Sequence, residues 1–438
     1  MSQIQSGSDK LQEGYQEVQV GPEKLEIPEE WTVTTLSNVA SRFISGGTPD
    51  SGNEDYWGGD IPWTTAAVVD GPQFEGEKDF LTQEGLENST ASLVPEGSIL
   101  FGTRVNVANV GRTKKEIAIS QDLTGIVLDE SKVDPDFVTW HLLLNQAKIR
   151  DRYSQGSTIQ GMLTDDLKSL PLLSPSLPEQ RRIAEILSNV DEQINQTDKM
   201  IEETKNLKRG LMQSFFSGSD SKNTREVRFG SNLATIPVDW EVTTLSQVCE
   251  KIVDGPHSTP DYTDKGIPFV SAGDIENGEI DFENCKRISE ENDRELRPRV
   301  DPQEGDILLG KVGSGSLGKI CIVDTGRRFN IFVQLALLRP ITKRILPGYL
   351  GTALQYRQMQ QQILDNASGA SMQYIGTGAI GNLEIALPTL EEQKEISKGF
   401  GHIRQKIRQE RKHKSRLQEL KRGLMQDLLT GKVRVNAD

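Results

Sequence analysis

Cysteine is scarce. Cys249, Cys285 and Cys321 are an odd, widely spaced set in 438 residues with no C-x-x-C, so neither a disulfide framework nor a thiolate zinc site is expected, only buried or spare thiols. Histidine is nearly as rare, and His141, His257, His402 and His413 form no metal-spaced pair. No run approaches the roughly 18 consecutive apolar residues of a membrane span. The first twenty residues, with Asp9, Glu13 and Glu17, lack the basic-then-apolar order of a signal peptide. The expectation is a cytoplasmic chain without a membrane partner. Positive charge is also in deficit: 50 Lys and Arg against 64 Asp and Glu give a net charge of -14, which argues against a polyanionic partner unless a local basic face exists. No serine satisfies G-x-S-x-G, because Ser314 has Val312 and Ser316 two places away and Ser316 has Ser314 and Gly318. No carboxylate pair recurs beside a base, so no catalytic residue and no metal ligand is assigned.

What the chain has is a repeat. Ile27-Pro28, Trp31 and Val33-Thr34-Thr35-Leu36-Ser37 recur 209 positions later as Ile236-Pro237, Trp240 and Val242-Thr243-Thr244-Leu245-Ser246, preceded in the same register by Glu17-Val18 and Gly21 against Glu226-Val227 and Gly230. Gly97, Ile99, Leu100 and Gly102 recur at an offset of 208 as Gly305, Ile307, Leu308 and Gly310. Gly156, Gln160, Leu177, Glu179, Gln180 and Ile183 recur at an offset of 213 as Gly369, Gln373, Leu390, Glu392, Gln393 and Ile396, and Leu207 to Gln213 reappears unchanged as Leu420 to Gln426. A period of about 210 residues is far longer than a solenoid unit, so each copy is expected to be a domain with an appended element. The stretches from Ile61-Pro62 to Val94 and from Ile267-Pro268 to Val300 share almost nothing. One frame carries two surfaces.

Residues 27–178 and 236–388 alternate short β-type runs with Gly, Pro and Asp turns, and each holds a helical stretch, near 135–153 and 347–366. This predicts largely antiparallel sheets with a few helices. From Pro178 and Leu390 the apolar spacing changes to fours and threes. Ile183, Leu187, Val190, Ile194 and Ile201 line one helix; Ile396, Phe400, Ile403 and Ile407, then Leu417, Leu424 and Leu428, line the other. At about 1.5 Å per residue, each helix of some 40 residues is roughly 60 Å long. An amphipathic helix of that length needs a partner, and two matched seams predict intramolecular pairing, weakened where Glu410 and Lys414 break the register. Gly210 and Gly423 each cost about 1 kcal/mol in a helix interior, which predicts close backbone approach or a nearby helix end. The expected organisation is an N-terminal segment (1–26), a first domain (27–178), a central helix (179–218), a linker (219–235), a second domain (236–388), a C-terminal helix (389–434) and a tail (435–438). The fold class is α+β.

Gly313 to Lys319 matches both G-x-G-x-x-G and the first seven places of a P-loop. Ile320 stands where the magnesium-holding Ser or Thr should be, and a strand rather than a helix follows, so a hairpin turn is expected. Charge is uneven: residues 27–178 carry 11 basic and 22 acidic side chains, 236–388 carry 15 and 21, 179–218 carry 6 and 7, and 391–434 carry 13 and 6. Basic clusters nevertheless occur within the acidic domains. Arg104, Arg112, Lys114 and Lys115 in the first, and Lys286, Arg287, Arg294, Arg297, Arg299, Lys311 and Lys319 in the second, are the candidates for neutralising phosphates or forking onto guanine edges. Each taken singly also reads as a solvated surface charge.

Taken together, I-P-x-x-W-x-x-x-x-L opening a domain, a glycine-rich hairpin after G-D/S-I-L, and the helix entries Pro175 to Gln180 and Pro388 to Gln393, all doubled, resemble the specificity subunit of type I restriction-modification systems over residues 17 to 434. The resemblance implies two target recognition domains held apart by two antiparallel helices that form a coiled coil with pseudo-twofold symmetry. It implies no catalysis in this chain. The expected partners are double-stranded DNA, two methyltransferase subunits that use S-adenosylmethionine to methylate adenine, and two ATP-driven restriction and translocase subunits; S-adenosylmethionine, ATP and Mg2+ belong to those partners. Two reading domains separated by roughly 60 Å cannot read adjacent bases about 3.4 Å apart, so an asymmetric site of two half-sites with an unread gap follows. Net acidity predicts tight binding only alongside methyltransferase subunits. Alternatives are a scaffold that binds proteins only, a specificity subunit of a stand-alone adenine methylation system without nuclease, and a nucleotide-dependent enzyme resting on Lys319.

Overall fold

A computed structural model describes residues 13–21, 23–153, 161–218, 223–369 and 372–436. Gly156 and Gln160 of the repeat lie outside the described residues, as do the first twelve residues, residues 219–222 of the expected linker and the last two of the tail. The chain divides into two units, residues 1–198 with 413–438 and residues 199–412.

In the first unit a five-stranded sheet runs in the order Ala40–Ser45, Leu123–Leu128, Ile99–Gly102, Val110–Thr113, Gln73–Phe74, and a four-stranded sheet in the order Asp79–Leu81, Trp57–Thr64, Ile117–Ile119, Ser92–Val94. All neighbours are antiparallel except Arg112 against Gln73 and Ala118 against Trp63. The strand Ile99–Gly102 is wholly buried because alternate side chains leave a strand on opposite faces. Ile99 and Phe101 enter a core with Trp31, Phe137 and Trp140, while Leu100 enters another with Val94, Ile117 and Ile119.

The second unit repeats this logic. Its four-stranded sheet has the order Cys249–Asp254, Leu335–Pro340, Ile307–Gly310, Ile320–Ile322, and a three-stranded sheet joins Lys286–Ile288, Tyr262–Val270 and Asn330–Ile331. Ile307 and Leu309 pack with Tyr349, Leu350 and Phe400, and Leu308 packs on the other face with Leu335 and Leu337. The pairing of Ile307–Gly310 with Ile320–Ile322 makes residues 311–319 a hairpin connection, as expected. The helix expected over 347–366 is two helices, Pro347–Gln355 and Arg357–Asp365. Tyr356 between them is extended, with its ring stacked 4.9 Å from that of Phe216.

Each β domain is preceded by a hairpin, in the stretches expected to be an N-terminal segment and a linker: Tyr15–Val20 with Glu23–Pro28, and Thr224–Phe229 with Asn232–Pro237. Gly21 (φ +60°) and Gly230 (φ +58°) make the turns in a conformation that L side chains rarely adopt. The matches of Glu17-Val18 and Gly21 to Glu226-Val227 and Gly230 are thus matches of turn and strand.

The two long helices span Leu177–Ser217 and Leu390–Leu428. Their entries explain the repeated E-Q. Gln180, buried, donates to the Pro175 carbonyl (2.9 Å) and accepts from the Asp134 amide (2.9 Å). Gln393, also buried, donates to the Pro388 carbonyl (3.0 Å) and accepts from the Leu346 amide (2.8 Å). In each copy one amide side chain ties a helix start to its β domain. Glu179 accepts from Trp31 Nε1 (3.1 Å) and from Arg434 (2.7 Å).

Ile183 and Leu187 are buried in the main core of the first unit, and Val190 and Ile194 pack with Leu417 and Leu424 of the other helix. Lys414 bonds Asp198 (2.6 Å) and Lys421 bonds Asp191; ascending partners on one helix meet descending ones on the other, so these segments are antiparallel. In the second unit Ile396, Phe400 and the half-buried Ile403 join Met212 and Phe216, with Phe215 at 6.0 Å from Phe400 between ring centres. Ile201 and Ile407 are buried. A Cβ on Gly210 or Gly423 would meet nothing within 4 Å. Close approach is therefore not their reason, and both sit within the last two turns of their helices.

All three cysteines are buried and free. Burial, with Asp306 near one and Asp324 near the other, pushes the thiols of Cys249 and Cys321 up to about 12, so they remain protonated and unreactive. Among the described residues no helix is long and apolar enough to cross a membrane.

Candidate nucleic-acid interface

The feature common to both domains and different in content is the loop that leaves the buried strand. In the first, the Gly102 amide donates to the Asn109 carbonyl and the Ala108 amide to the Gly102 carbonyl, both at 2.8 Å; in the second, the Gly310 amide donates to Lys319 and the Gly318 amide to Gly310, again at 2.8 Å. Glycine is needed at the base because a Cβ would stand 2.2 Å from the Asn106 carbonyl oxygen at Gly102 and 2.0 Å from that of Ser316 at Gly310. A second loop is strapped to each first one at matched positions. The Met162 amide donates to the Thr103 carbonyl (2.8 Å) and the Ile375 amide to the Lys311 carbonyl (2.9 Å).

On this shared support the two copies display different chemistry. The first presents Arg104, Val105 (61% exposed) and Leu163 (64% exposed); the second presents Met372 (62%) and Tyr374 (50%) beside Gly313, Ser314 and Gly315. Val105 and Ala108 have φ of +57° and +65°. A left-handed β-branched residue costs of order 1–3 kcal/mol, and such strain concentrates at sites of function. An exposed, strained valine beside an unpaired arginine is hard to account for by stability alone.

The sequence-chosen cations fare unevenly. Arg112 holds Asp136 with both carboxylate oxygens at 2.9 Å, Lys114 pairs with Glu75 (2.6 Å), and Lys115 with Glu77. Lys286 lies over the Tyr262 ring, and Arg287 donates to the carbonyls of Gly266 and Phe282. Arg297 pairs with Asp301 (2.9 Å), Arg299 with Asp254, and Lys319 donates to the carbonyls of Ala272 (3.3 Å) and Ile275 (3.0 Å). Lys311 is buried against Asp254. Burial alone would raise the Asp254 carboxyl, but Lys311 and Arg299 outweigh it and hold it below the ordinary carboxylate range. Lys311 therefore braces the loop base. Among the described residues Arg104 and Arg294 remain exposed with no side-chain partner. Sequence reasoning missed Val105, Leu163, Met372 and Tyr374; the repeated Gly102 and Gly310 were the signal that pointed toward them.

The profile of the family described as "Type I restriction modification DNA specificity domain" matches residues 28–205 and again 237–419. The chain belongs to that family. The specificity subunit MjaVIII of Methanocaldococcus jannaschii is 25% identical over 428 residues, 94% of this chain and 95% of that one. The EcoBI specificity subunit of Escherichia coli is 26% identical over 290 residues, 64% of this chain and 60% of that one. A crystal structure of a type I restriction-modification S subunit from M. genitalium matches with a TM-score of 0.62 at 18% identity, covering 91% of this chain and 96% of that chain, and supports the fold. A specificity subunit is a non-catalytic DNA-recognition component, which accords with the lack of a catalytic constellation in the sequence. The two profile matches correspond to its two recognition domains.

Proposed function

We propose that each recognition domain reads one half of an asymmetric, bipartite DNA site through its paired loops, 103–108 with 161–163 and 311–318 with 372–375. The observation that carries this reading is one hydrogen-bonded frame supporting two unlike displays. Arg104 supplies a donor fork for a base edge or a phosphate, Val105 and Leu163 supply apolar contact of the kind a thymine methyl takes, and Tyr374 supplies a face and a hydroxyl. The remaining candidate cations set the shape and potential of each domain through their ion pairs, ring contact and carbonyl hydrogen bonds, and Arg294 reaches a phosphate.

In this reading the domains occupy 27–178 and 236–388, and the helices pair through seams lined by Ile183, Leu187, Val190, Ile194 and Ile201 on one and by Ile396, Phe400, Ile403 and Ile407 on the other. The 41 and 39 residues of these helices amount to roughly 60 Å at about 1.5 Å per residue, and they set the unread gap. They also dock two adenine methyltransferase subunits, and two restriction subunits join in the cytoplasm; S-adenosylmethionine, ATP and Mg2+ act on those partners. Net acidity makes duplex binding dependent on the methyltransferase subunits. Inserting four residues, about one turn, into the central helix is the test. Sequencing of methylated sites should show a changed gap between unchanged half-sites; an unchanged gap contradicts the reading.

A further inference from the structure

The second unit contains an open cavity of about 850 Å3 lined by the central helix around Lys205 and Lys208, the C-terminal helix from Gly401 to Lys412, and the hairpin and strand at 275–280 and 320–324. Its floor is apolar, with Ile275, Ile320, Ile322 and Ile407, and its wall is cationic. Glu279 and Asp324 are the carboxylates of the lining, and Arg408 takes both, at 2.7 and 2.9 Å. Four half-buried cations of the lining have neutral hydrogen-bond partners: Lys319, which reaches the carbonyls of Ala272 and Ile275, and three on the long helices. Lys208 donates to the Gln355 amide oxygen, Arg404 to the Thr352 hydroxyl (3.3 Å), and Arg411 to the Asn277 amide oxygen (2.7 Å).

In the recognition domains Arg112, Arg297 and Lys311 each have a carboxylate, whereas Arg287 and Lys319 are held by backbone carbonyls. In a chain with fourteen more acids than bases, three adjacent cations without an ion pair of their own are not explained by shortage; Asp324 acts on Arg404 and Glu202 on Arg411 only from longer range. Unpaired charge withdrawn from water is costly. Burial, then Arg404 and Arg411, pull the Lys208 ammonium down to about 8, and burial lowers Arg404.

We infer that this cavity is a binding site for a small polyphosphate anion, held by Arg404, Arg411 and Lys208 with its bulk over the isoleucine floor. Guanidinium groups bind phosphate oxygens in pairs, and a multiply charged anion would satisfy all three cations at once. The inference does not rest on the base-reading proposal, since these residues lie outside the paired loops.

The test is calorimetric titration of the full chain with inorganic triphosphate and, separately, ATP at constant ionic strength. Saturable binding of triphosphate is expected, weakened at least tenfold by Arg404→Gln with Arg411→Gln and unaffected by Lys398→Gln, which lies outside the cavity. Tighter ATP than triphosphate would place a nucleoside on the isoleucine floor; equal affinity would leave the phosphates as the whole ligand. A second measurement needs no variant: triphosphate should protect Lys208, and not Lys398, from amine acylation at pH 8 read by mass spectrometry. Lack of saturable binding, binding indifferent to the double substitution, absence of Lys208 protection, or full displacement of triphosphate by duplex DNA would overturn the inference.

Discussion

Arg104 and Lys311 are both basic, both lie just past a buried glycine-ended strand, and do different jobs. Lys311 is buried against Asp254, and removing one partner of a buried pair costs about 3–5 kcal/mol; Arg299 still holds Asp254, so Lys311→Ala should lose about 2–3 kcal/mol in urea unfolding. Arg104→Ala removes an exposed side chain and should leave unfolding within about 0.5 kcal/mol while weakening methylation at one half-site at least tenfold. Equal effects of the two substitutions on stability would contradict the assignment. No run of sequence could separate them, because Asp254 lies 57 positions from Lys311 and only the fold brings them together.

His141 provides a second test at this scale. Burial pulls its imidazole down to about 4, where it stays neutral with Nε2 accepting from the Leu173 amide (3.4 Å). A histidine in the unfolded chain titrates near 6.5, so the unfolded state binds the extra proton first as pH falls. The contribution of His141 is therefore complete above about pH 6.5 and lost between there and about pH 4, amounting to about 3 kcal/mol. His141→Gln should flatten the pH dependence of unfolding in that window. An unchanged slope would contradict a buried neutral imidazole.

Among the elements, the hairpin that leaves each buried strand is the one that, in the proposed reading, couples fold to function. Gly310→Ala places a Cβ 2.0 Å from the Ser316 carbonyl oxygen, so the loop must open or the strand shift. The expected result is a loss of about 1–3 kcal/mol, with methylation lost at the second half-site and kept in pattern at the first. Loss at both equally would deny the loops their separate roles. The strands Ile99–Gly102 and Ile307–Gly310, the hairpin at Gly313 to Lys319 and both long helices were legible in the sequence, because short unbroken apolar runs, a helical apolar period and turn residues are local signals. The interruption at Tyr356 was not, since it depends on a ring stack with Phe216 from a distant helix. Nor were the two opening hairpins: their strands are short and largely polar, and only the turn glycines Gly21 and Gly230 mark them. Arg112, Lys114, Lys115 and Arg299 escaped for the same reason as Lys311, their acids lying far along the chain. Arg297 pairs locally with Asp301, and Lys286, Arg287 and Lys319 are held by a ring or by carbonyls.

For the molecule as a whole, duplication with divergence is the organising fact. Two profile matches in one chain, two glutamine-anchored helix entries and two equivalent loop closures repeat a frame, while exposed side chains on those loops do not repeat. A non-catalytic chain with that plan does its work by placing a partner's chemistry at a chosen sequence. The most direct measurement is to co-express the full chain with its adenine methyltransferase partner and map modified adenines across a genome. One motif made of two unlike blocks flanking a gap of constant length is predicted; a single uninterrupted block, or two blocks of identical sequence, would contradict the account.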